Sequence, residues 1–145
     1  MLSNYFILPL VGKPQRIPLF TESIRAGFPS PAEDHIDRSL DLTELLVTNP
    51  PATFFLRVTG DSMINAGIHE RDILVVDRSL TAQHTDIIVA SINSEFTLKR
   101  LYCRGTRVIL QPENDAYQPL IVGEGDEFSI FGVVSGVVRQ LRCSH

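Results

Sequence analysis

The stretch Asp86–Leu101, DIIVASINSEFTLKRL, decides how the rest of the chain is read. Two runs of β-branched, aromatic and aliphatic residues flank the pair Asn93-Ser94. Such residues suit a pleated, half-buried surface, and a two-residue polar break between them predicts a tight hairpin. The signature continues on both sides. FFLRVT (54–59), ILVVD (73–77), TRVILQ (106–111) and FSIFGVVSGVVRQL (128–141) are further strand candidates, each bounded by Gly, Asp, Asn, Pro or Ser. Together with DIIVASI (86–92) and EFTLKRL (95–101) they alternate with turns, not helices. This predicts a mostly β fold, a partly closed antiparallel barrel or sandwich, and argues against a doubly wound dinucleotide-binding fold.

The chain upstream of this region reads differently. Proline stands at positions 9, 14, 18, 29 and 31, and AGFPSPAED (26–34) is rich in small residues. Proline removes backbone donors and disfavours helix in its predecessor, so residues 1–40 are expected to form a flexible, extended arm. DLTELLV (41–47) predicts a short helix with Asp41 as its cap and Glu44 three residues on. Asn49, Pro50 and Pro51 end it. The expected division is therefore an arm over 1–40 and a domain over 41–145.

Composition narrows the function. At 145 residues the chain suits one domain, and 43% hydrophobic against 21% charged residues is enough to build a core. A formal charge of -4 without a basic run argues against direct sequence-specific DNA binding, since phosphate neutralisation needs clustered Lys or Arg. MLSNYFILPLVGKP (1–14) lacks a basic start and is broken by Pro9, so it reads as arm and not as signal peptide. No apolar run reaches the roughly 18 residues of a membrane span. Cys103 and Cys143 read as reduced thiols of a cytoplasmic protein. His35, His69, His84 and His145 lack zinc-ligand spacing, and there is no Gly-rich phosphate loop, so neither a metal nor a cofactor is expected.

TGDSMINAGI (59–68) follows the first strand of the domain. Gly60 permits a sharp turn, Ser62 emerges just past it, and Met63 can pack back as an apolar plug. The backbone N–H groups of Asp61 and Ser62 are candidate oxyanion donors. Gly, Asp and Ser are equally ordinary turn residues, so a plain turn is the competing reading. A nucleophilic serine needs a base. His69 and His84, with Asp72, Asp77 or Asp86 as orienters, are candidates, but both histidines sit in charged, loop-like sequence and read better as solvated. Lys99 lies inside the apolar strand EFTLKRL. Of the pair Lys99-Arg100, one side chain must face each side of the sheet, and only lysine can lose its proton. The competing reading is a lysine that protects a sheet edge. As a base near neutral pH, Lys99 must titrate far below the ordinary lysine value of about 10.4, and so must be dry. Val75, Val89 and Leu98 are candidates to dry it.

GDSM at 60–63, Gly67-Ile68, a hydrophobic strand ending in Asp77, and FTLKRL (96–101) resemble the LexA/UmuD family of self-cleaving Ser/Lys peptidases. Ser62 and Lys99, 37 residues apart, match that family's nucleophile and base in spacing. PLFTESIRAGFPSPAED (18–34) and FGVV (131–134) resemble its UmuD-like branch, and the likeness runs from about Pro18 to about Arg139. The resemblance implies a LexA/UmuD-like peptidase fold and a self-cleavage bond at Ala26–Gly27. Without it, Ala-Gly would read as linker. The UmuD-like branch departs here by carrying Cys-Gly, while LexA carries Ala-Gly. The resemblance further implies a homodimer, stimulation by a RecA filament on single-stranded DNA, and partnership with a UmuC-like Y-family polymerase in translesion synthesis during the SOS response. A repressor reading is disfavoured, because 26 residues before Gly27 do not hold three packed helices. The alternative is a non-catalytic interaction module of the same fold, whose arm covers a partner-binding surface.

Overall fold

The structure, a computed structural model, describes residues 15–20, 23, 24, 26, 27 and 36–142. The chain divides into two compact units, Met1–Leu45 and Leu46–His145. In the first, β1 (Ile17–Phe20) pairs antiparallel with β2 (Ile36–Leu40). The proline-rich sequence predicts extended backbone here but not that two parts of it form a ladder. Extended backbone leaves its N–H and C=O groups unpaired, and a second extended segment satisfies them. Helix α1 (Leu42–Leu46) follows. Asp41 caps it as expected, its Oδ1 accepting the N–H of Thr43 at 2.8 Å and of Glu44 at 3.3 Å. Glu44 does not close a capping box; its carboxylate takes both bonds from Arg16, at 3.2 Å each. Most of the expected arm lies outside the described residues, but Ala26 and Gly27 are described, and both are exposed.

The second unit holds one antiparallel sheet. Its strands are β3 (Thr53–Arg57), β4 (Ile73–Asp77), β5 (Ile87–Ile92), β6 (Glu95–Arg104), β7 (Arg107–Gln111), β8 (Leu120–Ile121) and β9 (Phe128–Val138). Their order is β3-β4-β9-β5-β6-β7-β8. The mostly β fold holds, with one short α-helix among the described residues and the six expected strands all present. β3 ends at Arg57, two residues before the expected Thr59. Asn93 and Ser94 have φ of 49° and 68°, the left-handed pair that a type I′ hairpin turn demands.

β9 joins the sheet's two halves. It pairs with β5 along Phe128–Val133 and with β4 along Val133–Val138, with bulges opposite Val75/Val76 and Val89/Ala90. Bulges raise local twist and bend a sheet. The bend gathers two apolar clusters. One holds Val58, Met63, Ile68, Leu74, Val76 and Val89; the other holds Ile88, Ala90, Leu101, Leu110 and Val133. Adjacent residues of β5 serve different clusters because successive side chains point to opposite faces.

Candidate active site

The Ser62 segment is a closed excursion from the sheet. Val58 N–H donates to the Asp72 carbonyl and Arg71 N–H donates to the Val58 carbonyl, both at 2.9 Å, so the chain leaves and returns at one point. Gly60, at φ +89°, turns it sharply. Met63 is 1% exposed and anchors the turn in the first cluster. Its burial fixes the neighbour, and Ser62 stays half-exposed at the rim of a cavity of about 170 Å³.

Lys99 reaches the same cavity from β6. β7 pairs with β6 only along Arg100–Arg104, so the half of β6 that carries Lys99 has no ladder partner on that side among the described residues. The Lys99 Nζ donates to Ser62 Oγ at 3.3 Å, to Thr97 Oγ1 at 3.0 Å and to the Leu98 carbonyl at 3.0 Å. Burial pushes its pKa down, because an ammonium in a partly dry site loses hydration. These contacts have a chemical consequence. An ammonium has three N–H bonds for three acceptors. The neutral amine has two, and a lone pair left over. With Thr97 Oγ1 and the Leu98 carbonyl keeping the two, the lone pair faces the serine hydroxyl.

The neighbouring Arg100 points the other way, as strand alternation requires, and donates to Glu113 Oε1 at 2.6 Å and to the Thr85 carbonyl at 2.7 Å. Of the three residues expected to dry the lysine, Leu98 lines its cavity, and Val89 lines an adjoining apolar groove of about 230 Å³ with Leu56 and Leu74. Val75 does not contribute. It points to the opposite face of β4, against Gly136.

The histidines are elsewhere. His69 is exposed, and its contact with Asp72 is through its backbone N–H at 2.7 Å. His84 is exposed, accepts the Cys103 N–H at Nδ1 at 3.0 Å and stacks edge-on against Tyr102. Asp72 pairs with Arg139, Asp77 with Ser79, and Asp86 with the Gln83 N–H. Cys103 is an exposed free thiol; Cys143, His35 and His145 lie outside the described residues. Among the described residues no three His, Cys, Asp or Glu side chains gather as metal ligands do, and no helix is long and apolar enough to cross a membrane.

A family model described as Peptidase S24-like matches residues 18–135. The chain belongs to this family. It is a serine-peptidase-type chain of the UmuD-like kind. It is 45% identical to Protein ImpA of Escherichia coli, covering 86% of this chain and 85% of that protein. It is 48% identical to Protein MucA of Escherichia coli, covering 82% of each. It is also 45% identical to LexA repressor 1 of Geobacter sulfurreducens, covering 81% of this chain but 58% of the repressor. The S24-like match begins at Pro18 and ends inside β9, so it includes the Ala26–Gly27 bond and the β domain up to Ser135.

Three neighbours of the site are not singled out by the sequence. Thr97 lies two residues before Lys99, and period-2 alternation alone places both on one face. Glu113 and Asn114, just after β7, contact the Ser62 turn. Their only trace in sequence is the polar phrase PEND (112–115) directly behind an apolar strand.

Proposed function

We propose that this chain is a self-cleaving serine peptidase whose own Ala26–Gly27 bond is the substrate, with Ser62 as nucleophile and Lys99 as base. The observation that carries this reading is the 3.3 Å approach of Lys99 Nζ to Ser62 Oγ, in a setting that disfavours the ammonium. Neutral Lys99 takes the Ser62 proton as Oγ bonds to the Ala26 carbonyl carbon. The carbonyl π electrons move to oxygen, where backbone N–H groups of the turn stabilise them. The tetrahedral intermediate collapses, the C–N bond to Gly27 breaks, and Lys99 returns the proton to the departing amine. Water, deprotonated by Lys99, then hydrolyses the Ala26 ester and frees Ser62. A small residue at each side of the bond suits close backbone approach.

The biological setting follows the same reading. A RecA filament on single-stranded DNA favours the cleavable arrangement. The 27–145 product forms a homodimer that joins a UmuC-like Y-family polymerase in translesion synthesis during the SOS response. The protein acts in the cytoplasm and binds DNA through these partners. Mass spectrometry tests the chemistry. Full-length protein held at alkaline pH, or with RecA, an ATP analogue and single-stranded DNA, is expected to give a fragment starting at Gly27. Absence of that fragment, or equal yield from Ser62→Ala, overturns the proposal.

A further inference from the structure

The loop behind β7 holds the Ser62 turn by its carbonyls. Glu113 N–H donates to the Ser62 carbonyl at 2.8 Å, and the Glu113 carbonyl accepts Asn65 N–H at 2.8 Å. Asn114 Nδ2 donates to the Asp61 carbonyl at 2.9 Å. The other end of that amide is also used, since Asn114 Oδ1 accepts Ala116 N–H at 3.0 Å. Tyr117 Oη–H donates to Asp61 Oδ1 at 2.6 Å. The loop is itself braced, with Pro112 buried and Glu113 held by Arg100.

Which carbonyl is held matters for what faces the cavity. No peptide bond among the described residues is cis, and in a trans peptide the C=O of one residue and the N–H of the next point in opposite directions. Holding the Asp61 carbonyl on the loop side therefore turns the Ser62 N–H away from the loop. That N–H makes no backbone hydrogen bond among the described residues. A donor left free beside a nucleophile is what a developing oxyanion requires, and its value depends on being fixed before the reaction.

We infer that Asn114 is a positioning residue for the peptidase reaction: by binding the Asp61 carbonyl it aims the Ser62 N–H at the oxyanion. Its side chain bonds the Asp61 carbonyl and the Ala116 N–H, and not Lys99. Tyr117 grips only the Asp61 side chain, so its loss leaves the peptide plane in place. The inference rests on the self-cleavage reading, and its test separates the two.

Single-turnover cleavage of the full chain is followed from neutral to alkaline pH for wild type, Asn114→Ala, Asn114→Asp and Tyr117→Phe, alongside thermal melting. Asn114→Asp keeps the shape but offers the Asp61 carbonyl an oxygen in place of a donor. Both Asn114 variants are expected to cleave about 10- to 100-fold more slowly at every pH, a share of what losing one oxyanion donor costs. The pH at which the rate rises, set by Lys99, is expected to stay put, and melting to remain cooperative. Tyr117→Phe is expected to change the rate less than about threefold, since its peptide plane stays held. Wild-type rates in the Asn114 variants overturn the inference. So does a shifted pH inflection or a lost melting transition, which would assign the loop to folding. No cleavage in wild type itself overturns the self-cleavage proposal instead.

Discussion

A lysine that loses hydration in the folded state acts on stability as well as on chemistry. Burial lowers the Lys99 pKa, so the unfolded chain binds that proton more readily. Below the folded value both states are charged, and the folded state bears the whole cost of the buried ammonium. Between the folded value and about 10.4 the cost fades, and above that it is gone. Lys99→Met is therefore expected to raise the melting temperature at neutral pH, by a margin that shrinks as pH climbs toward 10; melting curves across that range check it. On the proposed mechanism, Lys99→Ala abolishes cleavage near pH 7 and recovers part of it at high pH, where hydroxide replaces the missing base. Ser62→Ala loses about 10³-fold or more and recovers nothing, because the nucleophile itself is gone. Met63 ties stability to the site. At 1% exposure, Met63→Ala is expected to cost about 2–5 kcal/mol by denaturant titration and to slow cleavage by loosening the turn under Ser62.

At the scale of elements, the β5–β6 hairpin shows how far local chemistry reaches. Asn93-Ser94 was legible as its turn because few residues tolerate the left-handed backbone that joins right-twisted strands. Serine tolerates it less well than glycine, so Ser94→Gly is expected to stabilise by about 0.5–1 kcal/mol. β9 shows the limit. Its sequence marks an apolar strand, but not that its two halves serve different partners. Gly132 pairs with Val89 of β5, one residue before β9 takes up β4, and a Cβ there would meet Val76 Cγ1 at 2.6 Å and the Asp77 carbonyl at 3.2 Å. Gly132→Ala is expected to cost about 1–3 kcal/mol in denaturant titrations. The β1–β2 pairing was equally out of reach. It depends on two short segments meeting across an interval of sequence, and neither carries a period that names its partner.

Across the β domain, Arg139 closes the fold. Its guanidinium follows the last strand and donates to both carboxylate oxygens of Asp72 and, at 2.7 Å, to the Gly67 carbonyl. It thus ties the carboxyl-terminal end of the sheet to the return leg of the Ser62 excursion. Asp72 is 1% exposed, and its hydrogen bonds from Arg139 hold its pKa below the ordinary value, against the opposing pull of burial. Its contribution is complete above about 3.9 and is lost as pH falls through the lower folded value. Arg139→Ala leaves a buried carboxylate unpaired. It is expected to lower the melting temperature at neutral pH and to flatten the acid limb of the stability profile, measurable by melting from pH 7 to pH 2.

The strand runs, the hairpin turn, the Asp41 cap and the nomination of Ser62 and Lys99 were legible along the chain, because each depends on residue type and on spacing along one segment. Long-range packing was needed to bring Lys99 and not a histidine beside Ser62, to turn Val75 away from it, and to set Asn114 on the Asp61 carbonyl. Those contacts join segments far apart in the chain. They exist only once β9 bends the sheet and brings the Ser62 turn against the half of β6 that pairs with β5 but not with β7.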